Sequence, residues 1–266
     1  MTTTETPPTR TASAQPIRKL RPAGPPIVRF YRTAVGKKWV MAISGIVLML
    51  FVLVHLIGNI KLFLSKEEIN LYGEALRDMP GHLLPRTWLL WSIRAGLIAA
   101  FFFHIHAAYG LTRINMKARP RGDHYQSKRD YVAADFASRT MRWTGIIVGL
   151  FVLFHLADLT WGPANSEFVR GDPYNNLVYS LQRPVVAIFY ALAMIALGIH
   201  LYHGAWSIFQ SMGINNPKIN KARRTFAIAF AAVIMLGNLS FPIAVQAHWV
   251  ELKCPHTLPT TKPCSS

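Results

Sequence analysis

Residues 41–59 read MAISGIVLMLFVLVHLIGN, and this stretch decides the fold. It carries no Asp, Glu, Lys or Arg over nineteen residues, which is about the length that an α-helix needs to cross the roughly 30 Å hydrocarbon core of a bilayer. The strands of a membrane barrel are shorter and alternate in polarity, whereas this run does not alternate. It therefore predicts a transmembrane helix.

Four more segments are long, apolar and bounded by charged residues. Together with the first stretch they predict an all-α integral membrane protein with five transmembrane helices, of which the first four form a bundle. We expect the bundle domain to cover residues 37–250, between a flexible N-terminal extension, residues 1–36, and a tail, residues 251–266. The five predicted helices run at about 39–60, 88–112, 143–161, 184–212 and 225–249.

The formal net charge of +17 is distributed by side of the membrane. Of the 29 basic residues, 20 precede the first helix or lie in the second and fourth connections, whereas 8 of the 12 acidic residues lie on the other side. By the positive-inside rule, the N-terminus is cytoplasmic and the C-terminus, with Cys254 and Cys264, faces outside the cell membrane. A disulfide between these cysteines stays open. The basic inner face predicts docking of a soluble partner and contact with lipid, while no pattern typical of nucleic-acid binding accompanies the charge.

The opening stretch recurs 100 residues later. Residues 141–159 read MRWTGIIVGLFVLFHLADL and are identical to residues 41–59 at nine of nineteen positions. Each copy has a Ser-Gly or Thr-Gly pair and, ten residues after the glycine, a histidine followed by leucine. These residues are Ser44, Gly45 and His55 in the first copy and Thr144, Gly145 and His155 in the second.

The second and fourth predicted helices share a shorter pattern, His-x-x-x-Gly. It occurs as His106 with Gly110 and as His200 with Gly204, and the glycine lies one turn along the same helix face. Ionisable side chains within a membrane are costly and mark function by default. Histidines on four successive helices therefore predict a cofactor site more readily than interhelical hydrogen bonds.

The depth of each histidine in the membrane predicts two pairs. His55 and His155 come near the outer ends of their helices, whereas His106 and His200 lie closer to the cytoplasm. Two levels of paired imidazoles in a helix bundle predict two b-type haems, each with two axial histidines, for electron transfer. The chain has no Cys-x-x-Cys-His segment, which excludes covalently attached haem.

Neighbouring histidines leave open which two residues form the pair closer to the cytoplasm. His104 competes with His106, because residues two apart on a helix face nearly opposite ways, and His203 competes with His200. The His-x-x-x-Gly pattern selects His106 and His200, and leaves His203 as a candidate for a haem propionate or a quinone. The glycines of both patterns are expected to admit a flat macrocycle, with close helix packing as the alternative.

These motifs resemble the single-chain, five-helix, dihaem cytochrome b anchor of succinate:menaquinone oxidoreductases and quinol:fumarate reductases. The resemblance covers about 37–242 and includes HLYHGAWSIFQ at 200–210. It implies that the first and third helices ligate the outer haem and the second and fourth the inner one. It also implies an FAD-containing flavoprotein subunit that carries out the succinate chemistry. An iron–sulfur subunit on the cytoplasmic face would exchange electrons with this chain. This chain would in turn exchange electrons with a quinone, which we expect to be menaquinone. A higher oligomer of the complex stays open.

The resemblance also directs attention to residues beyond the histidines. A carboxylate near the first outer loop would transfer the proton to quinone, and Glu74 is the nearest candidate. Trp91 and Arg94 are candidates to line the quinone site, with interfacial anchoring as the alternative. Candidates for binding the haem propionates at the inner helix ends are Arg113, Arg139 and Arg142.

Three other classes of protein compete with this interpretation. A dihaem cytochrome b of a hydrogenase or formate dehydrogenase would share the basic inner face but should lack the Ser/Thr-Gly repeat. A transporter with a histidine proton relay should show inverted repeats and broken helices, whereas these repeats run in the same direction. An anchor without haem leaves four intramembrane histidines unexplained.

Overall fold

The fold is a bundle of long helices. The computed structural model of the chain describes residues 24–79, 81–83, 85–117, 136–214 and 216–253, and within them all regular structure is helical. Five helices there are long and apolar enough to cross a membrane, which confirms the predicted all-α membrane fold. The helices are α1 Pro26–Arg32, α2 Ala34–Asn59, α3 Lys66–Asp78, α4 Trp88–Lys117, α5 Phe136–Leu156, α6 Pro173–Gln182, α7 Pro184–Ser211 and α8 Asn220–Gln246.

Short polar side chains fix where several helices begin. The Thr33 side chain accepts a hydrogen bond from the Gly36 amide at the start of α2, and Ser65 does the same for Glu68 at the start of α3. Asp172 caps α6, whose first residue is Pro173. α3 and α6 lie in the two connections predicted to face outside, and no pattern in the sequence predicts these two helices.

The transmembrane helices pack as neighbours in a simple order. α2 packs against α4, α5 packs against α7, and α7 lies against both α8 and α2. The buried core follows α7, α8 and the C-terminal ends of α2 and α5. Large apolar side chains on the other faces are exposed, such as Ile98, Phe102, Leu153 and Val233. This is the distribution expected when lipid surrounds the bundle.

The structure differs from the predicted boundaries at the N-terminal end. α1 lies inside the segment predicted to be flexible, and α2 begins at Ala34 rather than near residue 39. Pro26 at the first helical position and the Thr33 cap account for this earlier start. Cys254 and Cys264 lie outside the described residues, so the open question of their disulfide stays where the sequence left it.

A polar cap ties α3, α6 and the end of the described chain together. Asp172 accepts hydrogen bonds from the side chains of Asn70 and Asn175 and pairs with Lys66 at 3.2 Å. The Asn175 side chain also donates to the Lys253 carbonyl at 2.8 Å. Burial raises the pKa of Asp172, but the hydrogen bonds outweigh burial and hold this pKa below its usual range. The cap joins the two connections predicted to face outside.

Candidate functional site: two pairs of facing histidines

The first pair of facing imidazoles joins α4 and α7. The ring centroids of His104 and His200 lie 6.3 Å apart with an interplanar angle of 61°. We call these two residues the inner pair, after the predicted topology. Both rings are half-buried between the helices.

The α2 helix holds the ring of His104. Nδ1 of His104 lies 3.2 Å from the Met41 carbonyl oxygen and 3.3 Å from Oγ of Ser44, whose hydroxyl donates to the Val40 carbonyl. Because a carbonyl oxygen only accepts hydrogen bonds, Nδ1 of His104 carries the proton. Nε2 is then the unprotonated nitrogen, which is available to a metal ion.

The second copy of the repeat holds His200 in the same way. Oγ1 of Thr144 lies 3.4 Å from Nδ1 of His200, and the Met141 backbone is a further hydrogen-bond partner of this ring. A Cβ atom on Gly145 would lie 3.3 Å from Cε1 of His200, and one on Gly45 would lie 3.4 Å from Cε1 of His104. In the structure, these two glycines therefore make room for an imidazole ring of the next transmembrane helix.

His106 has different neighbours from those predicted. It is exposed on α4, hydrogen-bonds through Nδ1 to the hydroxyl of Tyr31, and stacks with Phe102 at 6.1 Å. The ring that faces His200 is that of His104, because a step of two residues turns the side chain to nearly the opposite side of α4. The structure therefore does not bring together the predicted pair of His106 and His200.

The glycines of the His-x-x-x-Gly pattern also have neighbours that differ from those predicted. A Cβ atom on Gly110 would meet the Lys37 side chain at 2.9 Å, whereas one on Gly204 would have no neighbour within 4 Å. His203 is half-buried one turn along α7 from His200. The repeat held a better signal for His104. Ser44-Gly45 lies against His104 on the next transmembrane helix, as Thr144-Gly145 lies against His200.

The second pair of imidazoles joins α2 and α5, as predicted from the repeat. The ring centroids of His55 and His155 lie 6.0 Å apart with an interplanar angle of 87°. Phe51 stacks on His55 at 5.3 Å, and the repeat-related Phe151 lies 5.6 Å from His155. We call these histidines the outer pair.

A buried ionic network lies next to the outer pair. Asp158 is fully buried and accepts a hydrogen bond from Arg183 at 2.7 Å, one from the Tyr190 hydroxyl at 2.8 Å, and one from Ser180. The Tyr190 oxygen lies 3.3 Å from Nδ1 of His155. No functional role for Asp158 is predicted from the sequence. The available signal was its place in the repeat, where the first copy has Gly58.

Both pairs fit two axial ligands of one haem iron. A metal–imidazole bond of about 2 Å, with about 1 Å more to the ring centre, places the centroids of two such rings about 6 Å apart. The observed separations are 6.0 Å and 6.3 Å. No cluster of three or more metal-binding side chains occurs in the described part of the chain. Two facing imidazoles suit a metal whose other ligands come from a macrocycle, and Nδ1 is already hydrogen-bonded in His104, His155 and His200.

Comparison with known families gives one match. The family model described as the succinate dehydrogenase/fumarate reductase transmembrane subunit matches residues 115–239. Over these residues the chain is similar to that family. The matched region contains His155 and His200, together with the Thr144-Gly145 pair, and it confirms the resemblance seen in the sequence. No curated protein and no solved structure matches the chain.

The residues predicted to form a quinone site have local partners. Glu74 pairs with Arg77 and, at 2.6 Å, with Arg86. The hydrogen bond to Asp78 and the attraction of both carboxylates raise the pKa of Arg86. These contacts form a surface cluster at the end of α3, and the structure gives Glu74 no link to the outer pair within the described residues.

The remaining predicted residues lie at the ends of α4 and α5. Arg94 lies over the Trp91 ring at 5.0 Å, and Trp91 is exposed. Arg113 is exposed near the Tyr109 ring, and Arg142 is also exposed. The side chain of Arg139 lies outside the described residues. These positions agree with interfacial anchoring as well as with the predicted roles.

Proposed function

We propose that this chain is the haem-carrying membrane anchor of a succinate:quinone oxidoreductase. The family that matches residues 115–239 consists of transmembrane subunits of succinate dehydrogenase and fumarate reductase complexes. The observation that carries the haem proposal is the presence of two facing imidazole pairs, each built on one end of the same sequence repeat. Electrons would pass through two b haems between an iron–sulfur subunit and quinone.

The four histidines of the facing pairs are the proposed axial ligands. His104 and His200 would hold the inner haem, in place of the His106 and His200 pair of the sequence analysis, and His55 and His155 the outer haem. When bound, each haem supplies one-electron exchange at its iron. The protein orients three of the ligands through hydrogen bonds to Nδ1 of His104, His155 and His200, which would leave Nε2 of each ring for the iron.

The spacing of the repeat sets the distance between the two levels. Gly45 lies against the ring of His104, and His55 follows ten residues later on the same helix. Ten residues at about 1.5 Å each make about 15 Å along the axis of α2. The same interval separates Gly145 from His155, so both copies of the repeat support a path of equal length through the membrane.

The proposed partners follow from the charge of the two sides. The basic side would face the cytoplasm and dock the iron–sulfur subunit, through which the flavoprotein subunit with its FAD would exchange electrons. Quinone, which we propose to be menaquinone, would react near the outer pair. Glu74 remains our proposed proton carrier, with Trp91 and Arg94 beside the quinone, and the arginines at the inner helix ends remain proposed propionate ligands.

Optical spectra of membranes that contain the whole complex test this proposal. Dithionite should produce sharp b-type bands with two haems per chain, and succinate should reduce haem only when the flavoprotein and iron–sulfur subunits are present. A folded chain without haem would overturn the haem proposal. Haem that dithionite reduces but succinate does not, in the intact complex, would instead favour another respiratory partner such as a hydrogenase.

A further inference from the structure

A fully buried carboxylate at the outer end of α5 requires an explanation. Asp158 has no exposed surface and lies in a helix that crosses the membrane. Burial of an unpaired carboxylate costs several kcal/mol, so such a group persists only with partners. In the other copy of the repeat this position is Gly58, against which the Tyr72 ring packs. The repeat therefore does not require a carboxylate here.

The local backbone places Asp158 and His155 so that both side chains contact the same residue, Tyr190. Asp158 follows His155 by three residues and so lies on the same side of the helix. A π-helical turn over Ala157–Trp161 ends the span, and Gly162 closes it with φ of 94°. Both side chains reach the hydroxyl of Tyr190 on α7. π-Turns of this kind occur frequently at functional sites.

The directions of the hydrogen bonds can be assigned from the donors present. Ser180, Arg183 and Tyr190 all donate to Asp158, which accepts as a carboxylate. The single hydroxyl proton of Tyr190 is used in this bond, so the Tyr190 oxygen accepts from Nδ1–H of His155. The proton on Nδ1 leaves Nε2 of His155 as the unprotonated nitrogen, on a ring whose centroid lies 6.0 Å from that of His55.

We propose that Tyr190 and Asp158 are positioning residues for the outer haem, acting through His155. This inference rests on the proposed haem function. A hydrogen bond from the ligand imidazole towards a carboxylate raises the electron-donating power of Nε2, which stabilises the oxidised iron. The network therefore lowers the midpoint potential of the outer haem. Arg183 holds Asp158 in place and balances its charge within the membrane.

A purely structural role explains only part of the network. The pairing of Asp158 with Arg183 and Ser180 ties α5 to the corner between α6 and α7. That tie does not need the Tyr190 hydroxyl, since the Tyr190 ring already packs against Phe151 and Phe154. The hydroxyl adds the link to His155. In the described part of the chain, the hydrogen-bond partners of the inner pair are neutral, a backbone carbonyl and a hydroxyl for each ring.

The test is a redox titration of the complex with Tyr190→Phe, which keeps the ring and removes the hydroxyl. We expect the outer haem to titrate at a higher potential, with a change on the order of tenfold in its reduced-to-oxidised ratio, or about 59 mV for a one-electron couple. The inner haem should not shift. Tyr179→Phe is the matched control, because the Tyr179 hydroxyl bonds to Ser166 on the surface, and it should leave both potentials unchanged.

A double variant separates the network from general destabilisation. If Asp158 acts through Tyr190, Asp158→Asn combined with Tyr190→Phe should shift the outer potential no more than Tyr190→Phe alone. Selective loss of the outer haem in Tyr190→Phe, with both haems retained in Tyr179→Phe, would also support the positioning role. Two haems with unchanged potentials in Tyr190→Phe would overturn it while leaving the proposed function intact. Absence of haem from the wild-type chain would overturn both.

Discussion

The inner and outer pairs of histidines are built from the same repeat but have different surroundings. At the inner level, residues of α2 and α5 hold imidazoles that belong to the next helix, through carbonyl and hydroxyl groups. At the outer level, the repeat itself supplies the imidazoles, and one of them connects through Tyr190 to a buried ion pair. One sequence pattern thus builds two proposed cofactor sites whose electrostatics differ, because the copies diverge at Gly58 and Asp158.

Replacement of His104 gives the largest expected effect on this comparison. His104→Ala removes one of the two facing rings of the inner pair and should reduce haem from two per chain to one, leaving the outer haem. Haem content and reduced-minus-oxidised spectra of the purified complex measure the loss. His106→Ala is the matched control, since His106 points away from His200 and bonds to Tyr31.

The reverse result would restore the assignment made from sequence. If His106→Ala lost the inner haem and His104→Ala kept it, the pairing of His104 with His200 would be contradicted. The two variants change residues on nearly opposite faces of the same helix. Each therefore controls for general damage to α4.

The sequence could predict the five helices and the outer pair because each depends on a pattern that is visible along the chain. The repeat marks His55 and His155 directly, and hydrophobic length marks the spans. The choice between His104 and His106 depends on the rotation of α4 about its axis, which packing against α2 determines. The Asp158 network depends on residues 22 to 32 positions apart, and no local pattern shows that they meet.

Replacement of Asp158 should show how far the outer level depends on its ion pair. Asp158→Ala removes the carboxylate that pairs with Arg183 and accepts from the Tyr190 hydroxyl, while Arg183 keeps its bonds to Ala164 and Ser180. We expect a loss of about 3 kcal/mol, near the low end for a broken buried pair, because the Arg183 side chain is 33% exposed. Thermal unfolding in detergent measures it.

Glu74→Ala is the matched control for the ion pair. Glu74 also pairs with two arginines, but its side chain is 43% exposed, and surface pairs contribute only about 0–1 kcal/mol. Equal losses for Asp158→Ala and Glu74→Ala would contradict a special role for the buried network in stability.

A smaller effect is expected from filling the space beside an inner ligand. A methyl group at Gly145 would lie 3.3 Å from Cε1 of His200, so Gly145→Ala should displace the ring and weaken inner haem retention by about 1–2 kcal/mol. Gly204→Ala on α7 is the control, because its methyl group would meet no neighbour within 4 Å. Haem release during a detergent or temperature series distinguishes the two variants. Greater loss from Gly204→Ala would favour the predicted role of the His-x-x-x-Gly glycine.

The smallest effect should come from Thr144→Val, which keeps the shape of the side chain and removes one hydroxyl. The Thr144 oxygen lies 3.4 Å from Nδ1 of His200, a long hydrogen bond, and the Met141 carbonyl remains as a second partner. We expect a cost of about 0.5 kcal/mol and a shift of the inner haem potential smaller than that of the outer haem in Tyr190→Phe. If the potential of the inner haem shifted as much or more, the charge of Asp158 behind the Tyr190 hydroxyl would not distinguish the two levels. The difference between them would then lie in the number of partners that each imidazole has.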